Sequence, residues 1–205
     1  MAVARRFGRA GFQIALLARS SEQIQGYADD LARDGVGARG FAVDASSLDS
    51  LAATLAQVSS ELGPPEVLVY NAVAFTVGSV SELSPEQLQV GFRVSAVGAL
   101  VAAQQVLPAM RARQRGTIIF TGGSAAIFPV PDMITLSIGK AAIRMLAFGL
   151  AHELEGTGIR VGTVTIYGAV AAGTAFDPER IAGYYWDLHT RADGAGEVEI
   201  SVRGD

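Results

Sequence analysis

The sequence contains no cysteine. That excludes a disulfide framework and any thiolate-bound metal centre. Histidine occurs only at His152 and His189, too few for a zinc site of ordinary composition. Charge of one sign is never gathered into a block: the net charge is −4, with 16 Lys+Arg against 20 Asp+Glu. A partner such as nucleic acid needs a basic stripe, so none is expected. Uninterrupted apolar runs fall short of the roughly 20 residues that span a bilayer, and no basic-then-apolar leader opens the chain. The expectation is a cytoplasmic protein with no membrane partner.

Small residues are what the chain has in quantity. There are 24 glycines in 205 residues, and half of all side chains are apolar. This suits one domain, 1–205, whose helices and strands approach closely around one core.

The apolar period alternates along the chain. Residues 2–10 read as a helix and 12–18 as a buried strand. A helix over 22–34 is capped by Ser20 or Ser21, and 37–43 is a second strand. Ser46 or Ser47 caps a helix to about 62; Gly63-Pro64-Pro65 turns the chain into a strand at 67–70. Ser84-Pro85-Glu86 combines a cap, a first-turn proline and an acid, and so opens a long helix to about 112. Leu88, Phe92, Ser95, Ala99, Ala102 and Val106 share one of its faces; Val90, Val94, Val97 and Val101 form a second stripe. Strands at 116–121, 158–165 and 197–202 follow, with helices over 133–155 and from Asp177-Pro178-Glu179. Such alternation predicts a parallel sheet covered on both faces, with ligands bound beyond the carboxyl ends of its strands.

Several landmarks stand at those strand ends. Asp44 follows the second strand. Val69-Tyr70-Asn71-Ala72 closes the third. Gly116-Thr-Ile-Ile-Phe-Thr leads into Gly122-Gly123-Ser124. Ser137-Ile138-Gly139-Lys140-Ala141-Ala142 lies early in a helix, and Gly158-Ile-Arg-Val runs towards Gly168. In order and spacing, from residue 1 to about 202, these resemble the short-chain dehydrogenase/reductase family. The resemblance implies an α/β fold: a Rossmann-like, doubly wound parallel sheet in a single domain.

It also implies departures. Proteins of this kind open with a strand and a Gly-x-x-x-Gly-x-Gly turn, whose amides and following helix hold the dinucleotide pyrophosphate. Here Met1 falls inside that helix, so the first strand and the Gly-rich turn are expected to be missing, leaving the strands at 12–18 and 66–70 without an interior neighbour. A late start of the chain is the preferred reading. A variant that abandoned the cofactor and a strand supplied by another chain are the others.

For the cofactor, the resemblance points to Arg19, Ser20, Asp44, Asn71, Lys140 and Gly168. Arg19 stands where a basic residue selects the 2′-phosphate of NADP, which leaves NAD open as well; an exposed loop arginine is the plain alternative. Asp44 would accept from the adenine amino group or cap the next helix, and Asn71 would support the cofactor or a strand-end turn.

The family's chemistry uses a Tyr with a Lys four residues later. Lys140 fills the Lys position, but Leu136 occupies that of the Tyr. Counting back thirteen from Leu136 gives Gly123 where a Ser is expected; Ser124 is its neighbour, either catalytic or completing the turn. Ser95 replaces a helix Asn, and Tyr167 a Pro. Tyr70 and Tyr167 could supply a phenol, or simply pack. His152 reads as a surface residue, and Tyr184-Tyr185-Trp186 as an apolar plug or lid.

The implied activity is an NADP-linked oxidoreductase acting on a small-molecule carbonyl or alcohol. Ala74, Phe75, Ile127, Phe128, Ala169 and Phe176 form its apolar walls, and Lys140 and Ser124 are the candidate catalytic residues. The alternative is a non-catalytic binding or scaffold protein. The helices at 86–112 and 133–155 predict a homodimer or homotetramer, with Ala102 at the subunit contact.

Overall fold

The computed structural model describes residues 1–191 and 197–204. Six strands are laid down parallel, and each pairing shown is parallel in register. They are β1 (Ile14–Ala18), β2 (Ala38–Ala42), β3 (Val67–Tyr70), β4 (Gly116–Gly123), β5 (Ile159–Ile166) and β6 (Glu199–Val202). They form two hydrogen-bonded sets: β1-β2, and β3-β4-β5-β6.

The two sets belong to one layer. Leu17 of β1 and Leu68 of β3 pack on the same apolar cluster, built around Phe120, Ile118, Ala99 and Ile143. On the other face Ile14, Val67 and Val69 pack with Ile119, Val164, Tyr185 and Phe7. Period-two alternation along β4 sends Ile118 and Phe120 to one cluster and Ile119 to the other. This is the Rossmann-like arrangement that the sequence predicts. Phe120 is fully buried, and truncating it to Ala would cost about 3–5 kcal/mol.

Seven α-helices cover the described sheet: α1 (Ala2–Gly8), α2 (Ser21–Arg33), α3 (Leu48–Leu62), α4 (Pro85–Phe92), α5 (Gly98–Arg113), α6 (Ile134–Glu153) and α7 (Pro178–Thr190). Ser20 caps α2 by accepting from the Gln23 amide at 3.2 Å. Ser84 and Gln87 close a reciprocal capping box on α4. Asp177 caps α7, where Pro178 fills the first turn.

The helix expected over 86–112 is not uniform. Residues Arg93–Val97 form a π-helical turn between α4 and α5, and the Gly98 amide bonds five residues back to the Arg93 carbonyl. One extra residue in a turn rotates everything before it relative to everything after. Ser95, Ala99, Ala102 and Val106 face inward, but Phe92 and Val90 are turned outward. The expected subunit contact at Ala102 is therefore corrected: it is only 1 % exposed within this chain, whereas Leu100 is 40 % exposed.

Two helical stretches, Pro85–Arg113 and Ile134–Glu153, are long and apolar enough to cross a membrane by length and composition alone, which the reading of apolar runs did not anticipate. In the fold they are packing helices: Ala103, Met110, Ile143 and Ala147 lie in the core.

Candidate functional site

β4 and β5 end level, with Gly123 opposite Ile166, while β3 stops at Tyr70 opposite Phe120. Beyond that point β4 has lost its neighbour on one side, and Thr121 still has a carbonyl to satisfy. Lys140, on α6, reaches it: Nζ donates to the Thr121 carbonyl at 2.6 Å. Burial lowers the Lys140 pKa to about 8. The cause is desolvation, which disfavours the charged form of an amine.

Gly123 borders the stem of this lysine. Gly123 is extended, with φ −170°. A Cβ placed there would make ordinary contacts of 3.8 Å with Cδ and Cε of Lys140. Leu136, one helical turn before Lys140, is half-buried and brings no proton to the site. Ser124 begins a 3₁₀ turn, Ser124–Ala126, and its carbonyl accepts from the Ile127 and Phe128 amides. Ile127 and Phe128 follow as exposed apolar side chains.

Ser137, beside Leu136, is structural. Its Oγ accepts from the Val130 amide at 3.0 Å and so ties the preceding loop to α6. Thr135 and Thr76 do likewise: the Thr135 hydroxyl accepts from the Thr76 amide and donates to the Thr76 carbonyl. Ser95 sits in the π-helical turn, 2 % exposed, and its Oγ has no hydrogen-bond partner. It faces Gly139, where a Cβ would come within 2.8 Å of the Ser95 Cβ.

Neither strand-end tyrosine supplies a phenol to Lys140. Tyr70 is buried and donates to the Val94 carbonyl at 2.5 Å. Burial raises its pKa far above the ordinary value. Gly98 leaves the space its hydroxyl occupies. The Tyr167 ring lies under the Arg203 guanidinium, 4.3 Å away. Gly168 is exposed, and a side chain there would overlap the Phe176 ring.

The other end of the candidate site lies beyond β1 and β2. Arg19 and Ser20 are exposed just past β1. Asp44 accepts from the Ser46 amide at 2.8 Å, so it does close the turn before α3. That bond, with help from the nearby Arg19 charge, holds its pKa below the usual carboxylate range. Asn71 is exposed immediately after β3. The structure thus gathers Lys140, Gly123 and Ser124 at one strand end, and Arg19, Ser20 and Asp44 at another. His152 is a surface side chain. Tyr184-Tyr185-Trp186 is no lid: Tyr185 is buried, with its hydroxyl 2.7 Å from the Thr121 Oγ1, and Trp186 packs edge-on to Phe7 and Phe12.

Two features escaped the motif reading. One is Arg144, a turn beyond Lys140, which grips Glu199 with Nη2–Oε2 at 2.7 Å and Nε–Oε1 at 3.0 Å. The Thr165 hydroxyl donates to the same carboxylate at 2.5 Å. The other is compositional: Lys140 is the chain's single lysine, every other basic residue among the 16 Lys+Arg being arginine. Counting residue types would have singled it out.

The sequence profile of the short chain dehydrogenase family matches residues 1–178. A short chain dehydrogenase of Pseudocercospora fijiensis is 34% identical over 161 residues, covering 77% of this chain and 52% of its own length. The uncharacterized oxidoreductase YvrD of Bacillus subtilis is 29% identical, over 80% of this chain and 61% of its own. This chain thus spans about half to three fifths of those two relatives. The inactive 2-(S)-hydroxypropyl-CoM dehydrogenase 2 of Xanthobacter autotrophicus is 32% identical, over 89% of this chain and 83% of its own. Among solved structures, a metagenomic short-chain oxidoreductase in complex with NADP superposes with a TM-score of 0.90, at 28% identity, over 100% of this chain and 91% of its own. The profile match over residues 1–178 and the 32% identical relative covered over 83% of its length show that the chain belongs to the short-chain dehydrogenase/reductase family.

Proposed function

We propose that this chain, a single domain over 1–205, is an NADP-linked oxidoreductase acting on a small, apolar carbonyl or alcohol. The observation that carries the reading is Lys140: one amine, held beyond the end of β3 against the carboxyl end of β4, with Gly123 beside it. Such a place in an open α/β sheet is where ligands bind.

The donor set fits a dinucleotide at its two ends. Arg19 offers an unburied guanidinium for a 2′-phosphate, Ser20 a neighbouring hydroxyl, and Asp44 a second carboxylate oxygen for an adenine amino group. A similar solved oxidoreductase holds NADP. Asn71 and Gly168 border the path between those ends. The dinucleotide, when bound, supplies or takes up the hydride. Lys140 keeps a proton on Nζ near neutral pH and presents N–H donors to a ribose. Ser124 offers a hydroxyl beside Gly123.

The site departs from the family's usual one. Leu136 stands where the family has its phenol. Leu136 favours a second reading, a binding or scaffold protein that keeps the pocket without turnover. Exposed Val90, Phe92, Leu100 and Met145 on α4–α6 support assembly into a homodimer or homotetramer. A cytoplasmic site of action fits this reading.

Calorimetric titration separates the readings. NADPH is expected to bind at least tenfold more tightly than NADH, and Arg19→Asp to reverse that order. Binding without turnover of any small ketone or aldehyde would support the second reading. Binding of neither nucleotide would remove both the cofactor and the oxidoreductase assignment.

A further inference from the structure

The segment between β5 and α7 is stiff within itself and lightly fastened to the rest. The Ala171 amide donates to the Phe176 carbonyl at 3.3 Å, and the Thr174 hydroxyl donates to the Ala171 carbonyl at 2.8 Å. The same hydroxyl oxygen accepts from the Phe176 amide at 3.0 Å. Asp177, the cap of α7, accepts from the Gly173 amide at 2.8 Å. Among the described residues, no hydrogen bond joins 168–176 to anything outside 168–177. Residues 168–174 are exposed. A loop bonded chiefly to itself moves as one piece about its two roots.

Both roots are closed by successive residues after β6. At the first, the Tyr167 amide donates to the Val202 carbonyl at 3.0 Å, and the Arg203 guanidinium lies over the Tyr167 ring, 4.3 Å from its centre. At the second, the Phe176 ring covers Gly168 so closely that any side chain there would overlap it. Gly204 backs the same ring: its Cβ position is 3.4 Å from the ring and 3.5 Å from the Ala175 Cβ. The first root adjoins the candidate site. The Cβ position of Gly123 is 3.9 Å from the Ile166 carbonyl oxygen and 3.8 Å from Cδ and Cε of Lys140.

We propose that Arg203 is a positioning residue: by stacking on Tyr167 it fastens the strap 168–176 at the carboxyl end of the sheet, and so slows release of a ligand that runs past Gly168. The ligand clause rests on the cofactor reading above, in which Gly168 borders the nucleotide's path. Tyr167 stands where the family has Pro, so this fastening is made by residues particular to this chain. A cation–π contact at an exposed site shifts an equilibrium by a factor of about two to five. Phe176 keeps the second root closed, so losing Arg203 loosens the strap without unfolding the domain.

Hydrogen exchange read by mass spectrometry tests the fastening on the full chain without nucleotide. Arg203→Ala should quicken exchange across 169–176 by about two- to fivefold and leave β4 unchanged. Tyr167→Phe keeps the ring and should exchange like the parent. Tyr167→Ala should match Arg203→Ala, and the double variant should be no faster than either. Displacement of bound NADPH, timed by stopped-flow fluorescence, should quicken in Arg203→Ala by the same factor. Equal exchange in parent and Arg203→Ala, additive effects in the double variant, or unchanged NADPH release from a loosened strap would overturn the inference. A parent that binds no NADPH removes the cofactor reading and the ligand clause with it, whereas the exchange result decides the fastening by itself.

Discussion

Arg144 on α6 and Glu199 on β6 meet fork to fork, with Nη2–Oε2 at 2.7 Å and Nε–Oε1 at 3.0 Å. Their side chains are 28% and 13% exposed, so the pair is shielded without being dry. Replacing Arg144 with Leu leaves a carboxylate with only the Thr165 hydroxyl for company, and about 2 kcal/mol of stability should be lost. Chemical denaturation at neutral pH reads it directly.

The same pair sets an acid dependence. The Arg144 guanidinium and the Thr165 hydroxyl hold the Glu199 carboxyl below its ordinary pKa. A depressed carboxylate stabilises the fold fully above its unfolded pKa, and loses that contribution as pH falls through the folded one. The stability gap between the parent and Glu199→Gln should therefore be widest above about pH 5 and shrink on acidification. A gap independent of pH between 3 and 7, a window of about four units, would contradict the assignment.

Ser95 and Gly139 are coupled by space. Gly139→Ala should lower stability, because its methyl would meet Ser95 at 2.8 Å. In a Ser95→Gly background the same substitution should be nearly neutral, and a double-mutant cycle measures the difference. Ser95→Ala alone removes a buried hydroxyl with no partner, and should raise stability by about 1 kcal/mol.

Gly158 and Gln114 should respond in opposite directions. Gly158 has φ +77°, and a side chain there would overlap the Gln114 carbonyl. Gly158→Ala should cost about 2–4 kcal/mol. Gln114 ends α5 at φ 51°, a conformation that favours glycine. Gln114→Gly should then stabilise by about 0.5–1 kcal/mol in thermal melts.

Refitting the site tests its chemistry. Leu136→Tyr places a phenol one helical turn before Lys140, and Gly123→Ser adds a hydroxyl where a Cβ fits. Together they should raise NADPH-dependent reduction of small ketones by about 10²-fold or more, read from nicotinamide absorbance. No gain, with nucleotide still bound, would mean that the pocket and not the missing phenol limits turnover.

The alternation of strand and helix was legible because apolar period is a local property. Its boundaries were right to within one or two residues for β3, β4 and α6. The π-helical turn was not legible, since one extra residue in a turn leaves the composition unchanged and shifts only the phase. That is why Phe92 read as sharing a face with the buried Ser95 and Ala99, Val90 as sharing a stripe with the buried Val94, and Ala102 as a contact. Lys140 stood out in the sequence from its motif alone. The partners that define the site did not: Thr121 lies 19 residues from Lys140 and 64 from Tyr185, and Tyr70 is 24 from Val94. Such pairings are made by the folded sheet, so Tyr70 could be called neither a cleft residue nor a packing one beforehand.

The two strand sets share side-chain clusters but no ladder bonds among the described residues. Side-chain packing gives way more readily than a hydrogen-bonded ladder, so β1 and β2 are the pair expected to open first. Amide exchange on β1 should then be faster than on β4, where strands bond on both sides. Arg19 rides on the first unit and Lys140 on the second. A ligand long enough to touch both residues would clasp the two strand sets together.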